Sequence, residues 1–276
     1  MTKQSISTNL NPFQQISIAL VFVLTYTPTF LWMWDRWFVR DSYYSHGILI
    51  PFFSAYLIWL KKEELARIPV ESSPWGMRLI ILGITIHLLS SILRIYFSSG
   101  FSMLIVLVGL ILHLYGNQIL KAVAFPVGFL IFMVPVPMVV IANISFTMKM
   151  FAAQIATVML NNMGILALRE GSLIKMQHAF VMVEDVCSGL RSLISLAALG
   201  SIFAYWIKGP VWKKLLLFAS TIPIAVVTNV VRVIFLAVIA EVWGAKYIEG
   251  FLHDLSGYLI FAVAFLLLWV VTKMLE

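Results

Sequence analysis

The sequence predicts an all-α polytopic membrane protein. Of its 276 residues 62% are hydrophobic and only 11% charged, and apolar runs of bilayer-spanning length recur from Ile16 to Met274. A water-soluble globule is nearer half apolar, so the principal solvent of this chain is lipid. No stretch is left over for a separate soluble domain, and residues 1–276 read as one transmembrane domain.

At about 20 residues per span, helices are expected near 14–34, 46–60, 77–96, 101–116, 119–135, 188–207, 212–240 and 254–274, about eight in all. The first follows a short polar head and ends in aromatics without an Ala-x-Ala signal, so a retained helix is expected rather than a cleaved leader. The second, fourth and fifth are short, which tilt, flanking aromatics or local thinning would accommodate. Residues 138–166 follow a break at Pro135 and Pro137 and are interrupted by Asn143, Lys149, Gln154, Asn161 and Asn162. They read as an amphipathic helix on the outer surface, with a ninth span as the alternative. Gly171 to Val186 mixes Leu173, Ile174, Met176, Phe180 and Val181 with Lys175, Gln177 and His178, the pattern of a short extracytoplasmic β-hairpin ahead of the helix at 188.

Lysine and arginine bias in short loops sets orientation. Lys61, Lys62, Arg67, Arg78, Lys121, Lys208, Lys213 and Lys214 all fall on one side of this scheme. That side is cytoplasmic, both termini lie inside, and the membrane is the cytoplasmic (inner) one.

Composition also excludes several functions. A single cysteine forbids an internal disulfide and a Cys-rich metal site, and the five histidines lack HExxH-type spacing, so neither metal nor cofactor is expected. The net charge of +7 comes without a basic stripe interleaved with aromatics, so nucleic acid is not the partner.

Ionisable residues within or beside a span are costly unless they face a partner or a wet cavity, which makes each a functional suspect. Cys187 opens the helix at 188 in Glu184-Asp185-Val186-Cys187-Ser188-Gly189-Leu190-Arg191. Arg232 lies late in the next helix in Asn229-Val230-Val231-Arg232, and His253 opens the last in His253-Asp254-Leu255-Ser256-Gly257. All three map to the outer face in a topology derived from other residues. A free thiol is only a few per cent ionised at neutral pH, and a helix N-terminus, a nearby cation or a histidine each raises that share. Glu184 and Asp185 oppose the thiolate and are assigned to capping or substrate contact. Arg191, four residues after Cys187, either pairs with Asp185 or shares the cation role with Arg232. Ser188 lacks a GxSxG context and is the weaker nucleophile. His46, in Ser45-His46-Gly47, reads as structural or access-lining, and His87, His113 and His178 as packing, interface or hairpin residues. Each bland alternative is available: a cysteine as small apolar packer, a snorkelling arginine, an interfacial histidine.

The blocks Val186-Cys187-Ser188-Gly189-Leu190-Arg191-Ser192-Leu193, Asn229-Val230-Val231-Arg232 and His253-Asp254-Leu255-Ser256-Gly257 resemble the exosortase/archaeosortase family of membrane cysteine transpeptidases, and Ser45-His46-Gly47 is also family-like. The likeness is specific over 180–257 and looser before it, and the histidine at 253 is similar to the bacterial exosortases. The resemblance implies catalysis by Cys187, Arg232 and His253. It also implies a substrate partner: an exported protein with a C-terminal sorting signal, made of a short motif such as Pro-Glu-Pro, a transmembrane helix and a basic cluster. Two rival classes stand beside it, a transporter with an Arg/His-lined path and a non-catalytic envelope-assembly scaffold. A transporter predicts an inverted repeat and further mid-membrane charges, and the sequence has neither.

Overall fold

The computed structural model describes residues 11–183, 188–248 and 250–276, without the side chains of Phe251, His253 and Asp254. The chain falls into two compact units, Met1–Val136 and Pro137–Glu276.

In the first unit the helix expected over 14–34 is two, α1 (Pro12–Thr25) and α2 (Thr27–Phe38), meeting at 62°. Pro28 in the first turn of α2 has no N–H to give, and its ring displaces the carbonyl of Leu24. Buried Tyr26 occupies the corner, its hydroxyl 3.1 Å from Ser102 Oγ. Beside it Thr29 and His87 Nδ1 both bond Ser99 Oγ, the latter at 2.8 Å. His87 is thus part of a buried polar cluster rather than plain packing.

A 3-10 turn, Ser45–Ile48, leads into α3 (Leu49–Leu60), and α4 is the single turn Lys62–Leu65. Then α5 (Pro74–Leu93) and α6 (Tyr96–Leu114) form a hairpin turned by Arg94 at φ +56°. The two backbones approach so closely that a Cβ on Gly76 would lie 2.3 Å from the His113 nitrogen, the small-residue contact of membrane helix pairs. The expected 119–135 helix is also bent: α7 (Gly116–Ala122) meets α8 (Ala124–Phe129) and its 3-10 extension (Leu130–Met133) at 66°. The proline rule again supplies the cause, since the ring of Pro126 collides with the carbonyl of Ala122.

The second unit opens with α9 (Met138–Asn162). Its Ala152, Ala153, Ala156 and Leu160 pack on Val230, Val233, Ala237 and Ala240, on Ile174 and Val181 of the sheet, and on Val183 just after it. The segment expected to lie on the outer surface therefore has a buried stripe and also the length and apolarity of a spanning helix. Asn161, which argued against a span, closes the helix end by a paired contact with the backbone of Ala167 at 2.9 Å in both directions.

The expected hairpin is a three-stranded antiparallel sheet of order β1-β2-β3: β1 (Leu168–Glu170), β2 (Leu173–Lys175) and β3 (Phe180–Met182). There follow α10 (Leu190–Trp206), α11 (Val211–Trp243) and α12 (Phe251–Leu275). The 33 residues of α11 run on through Pro223.

Among the described residues five helices are long and apolar enough to cross a bilayer, or seven if each bent pair is one span, while Ser45–Leu60 and Leu190–Trp206 are shorter apolar helices. The all-α polytopic class holds.

Candidate functional site

Of the residues singled out from sequence, Ser188, Arg191, Asn229 and Arg232 are described on or beside α10 and α11 of the second unit. α10 starts at Leu190, after Gly189 at φ +82°, not at Ser188. The buried Ser188 hydroxyl accepts the Leu190 N–H at 3.3 Å, so it is spent on turning the chain into the helix. Gly189 answers two demands at once. Its left-handed backbone disfavours a side chain, and a Cβ there would lie 2.7 Å from Cβ of Asn229. The start of α10 therefore rests on Asn229, which is buried in α11.

One turn on from Asn229 along α11 is Arg232. Only 8% of it is exposed, which rules out a snorkelling arginine. Its Nε donates to Ser256 Oγ of α12 at 3.0 Å, and an added Cβ on the neighbouring Gly257 would lie 3.4 Å from its Nη2. A buried guanidinium in an apolar helix is costly unless hydrogen-bonded. The hydroxyl of Ser256 and the bare backbone of Gly257 make room for the group and satisfy part of it.

Three stretches far apart in sequence thus meet: Ser188–Arg191 at the start of α10, Asn229 and Arg232 on α11, and Ser256–Gly257 on α12. Arg191 is the second residue of α10 and half-buried. The helix begins only after a left-handed glycine, so Arg191 stands in its first turn. Glu184, Asp185 and Cys187 lie outside the described residues. His253 is a backbone position in the first turn of α12, one turn before Ser256 and Gly257. His46 belongs to the first unit, where its ring stacks on Tyr44 at 6.1 Å.

Residues 33–270 match the family model for the transmembrane exosortase. The chain is a member of the transmembrane exosortase family. No curated protein and no solved structure matches it. Three of the blocks that suggested the resemblance contribute residues to these contacts, Gly189 with Asn229 and Arg232 with Ser256, while Ser45-His46-Gly47 belongs to the first unit.

Sequence reasoning missed Ser256 as the acceptor for Arg232 and the Gly189–Asn229 contact, although each of these residues stands inside a block it quoted. It also missed Glu241 near the end of α11. This carboxylate accepts the backbone N–H groups of His178 and Ala179 at 3.0 and 3.1 Å and pairs with His178 Nδ1 at 2.9 Å. The exosortase sheet is thereby pinned to α11 at its β2–β3 turn. Among the described residues no group of three or more His, Cys, Asp or Glu is placed to hold a metal.

Proposed function

We propose that the protein is a membrane cysteine transpeptidase or protease acting on exported proteins that carry a C-terminal sorting signal. The observation that supports this most is the buried Arg232: α11 holds a desolvated guanidinium against α12 and, one turn away, supports the start of α10 immediately beyond Cys187.

The reaction runs in two halves. The Cys187 thiolate adds to the carbonyl carbon of the scissile peptide bond, and Arg232 stabilises the thiolate or the oxyanion that forms. His253 gives its proton to the leaving amine, the C–N bond breaks, and the C-terminal anchor departs, leaving a thioester on Cys187. An acceptor amine, hydroxyl or water then attacks the thioester, loses its proton to His253 and regenerates the thiolate. Arg191, Ser188, Asn229, Glu184, Asp185 and His46 are supporting or substrate-contact residues in this scheme. The membrane is the cytoplasmic (inner) one, with both termini cytoplasmic and the site facing outward, so that a helix-anchored substrate presents its bond at the level of Cys187.

The test is a co-expressed reporter ending in Pro-Glu-Pro, an apolar helix and an arginine cluster. Wild-type chain shortens the reporter; Cys187→Ala and Cys187→Ser leave it full length. Complete processing by both variants overturns the proposal.

A further inference from the structure

The ladder between β2 and β3 has a parity that leaves one edge of the sheet open. Val183 N–H bonds the Ser172 carbonyl at 2.9 Å and Met176 N–H the Ala179 carbonyl at 2.8 Å. With Ile174 opposite Val181, the hydrogen-bonded pairs are therefore 172–183, 174–181 and 176–179, every second residue as an antiparallel ladder requires. The intervening Phe180 and Met182 direct their N–H and C=O groups to the other side of β3, away from the sheet. Their side chains are 64% and 58% exposed. Val181 and Val183 hold the strand down on α9 and α11, and Glu241 fixes its first turn. Among the described residues this edge is short, apolar on its outward face and pairs with no further strand, and natural proteins rarely leave such an edge bare without a partner.

We infer that this edge of β3 is the docking strand for the extended polypeptide of the substrate, which adds to the sheet as a fourth strand. The inference rests on the sorting-signal reading above. Two features choose a peptide over other occupants. Unpaired N–H and C=O groups at strand spacing are complementary to another extended backbone and to little else. Moreover, β3 is close in sequence to the candidate site: Met182 is five residues before Cys187 and six before Ser188, the buried residue that turns the chain into α10. Backbone pairing gives the grip, and alternate side chains over Phe180 and Met182 give selectivity.

Met182→Pro deletes one outward N–H without touching the β2 ladder, a change edge strands accept. Arg169→Pro deletes the corresponding outward N–H on the opposite edge and serves as control. With the reporter, Met182→Pro is expected to slow processing about ten-fold, the size of one lost hydrogen bond with its strain, while Arg169→Pro stays within about two-fold of wild type. The second measurement uses purified wild-type chain and synthetic peptides spanning the reporter's Pro-Glu-Pro segment. The only N–H in that tripeptide is on its glutamate, so N-methylation there abolishes turnover, and methylation walked through the flanks alternates between harmful and harmless.

Wild-type processing by Met182→Pro, equal losses at both edges, or turnover of the methylated glutamate peptide overturns the inference. So does a concentration-dependent dimer that Met182→Pro dissolves, which assigns the edge to a second copy of the chain. In all these cases an inactive Cys187→Ala leaves the thiol-enzyme reading standing, whereas an active one sinks that reading whatever β3 does.

Discussion

Gly189 and Arg232 carry the sharpest consequences at the scale of single residues. A side chain at φ +82° costs about 1–2 kcal/mol, and the Cβ of Gly189→Ala also runs into Asn229. Gly189→Ala is therefore expected to displace the start of α10 and lower reporter processing, and adding Asn229→Gly, which takes away the Cβ and the amide it meets, should return part of the loss. Strict additivity in this double-mutant cycle would mean the two residues do not touch. Ser256→Ala takes away the acceptor of Arg232 Nε; a melt in detergent is expected to show about 1–3 kcal/mol lost. Arg232→Lys keeps the charge but not the planar donors, so processing should fall by about 100-fold or more with the fold retained. The three blocks were legible in the sequence because each is polar where hydropathy demands apolar residues. Which members touch was not. The Arg232–Ser256 bond joins two helices across an intervening turn, and nothing local to either residue encodes it.

Among the elements, the prolines explain where sequence reading succeeded and failed. Apolar content located nearly every helix, but the bends at Pro28 and Pro126 were hidden inside runs of unbroken hydropathy. Pro223 shows why proline alone is an unsafe marker. Around it Ser220 and Thr221 donate to the carbonyls of Leu217 and Phe218 at 2.7 Å, and the helix continues unbroken. The sheet was half legible: alternation revealed β2 and β3, while β1, with Arg169 turned inward, has no clean pattern. Glu241 holds this element in place through charge-assisted hydrogen bonds. Glu241→Ala is expected to speed amide hydrogen exchange at His178 and Ala179, and Glu241→Gln, which keeps one acceptor oxygen, to fall between the two. Unchanged protection in Glu241→Ala would mean that packing of Ile174 and Val181 alone fixes the turn.

For the whole molecule the class was legible from composition, and the family model covers most of the chain. Orientation is open to direct measurement. In a Cys187→Ala background, Gln177→Cys in the exposed β2–β3 turn should react with a membrane-impermeant maleimide on intact cells, and Glu63→Cys in α4 only after lysis. The reverse pattern would turn the topology over. The length of α11 adds an internal depth gauge. Its 33 residues extend about 50 Å against a hydrocarbon layer of about 30 Å, and lying wholly within it would take a tilt beyond the usual ~40° limit. Counted from Leu215, just past the basic pair Lys213–Lys214, about 20 residues bring the helix to the far boundary within a turn of Arg232. Glu241 then stands about 10 Å further out, in water. One continuous helix thus sets the height of both the guanidinium and the sheet, and under the proposed reaction the scissile bond would stand clear of the hydrocarbon.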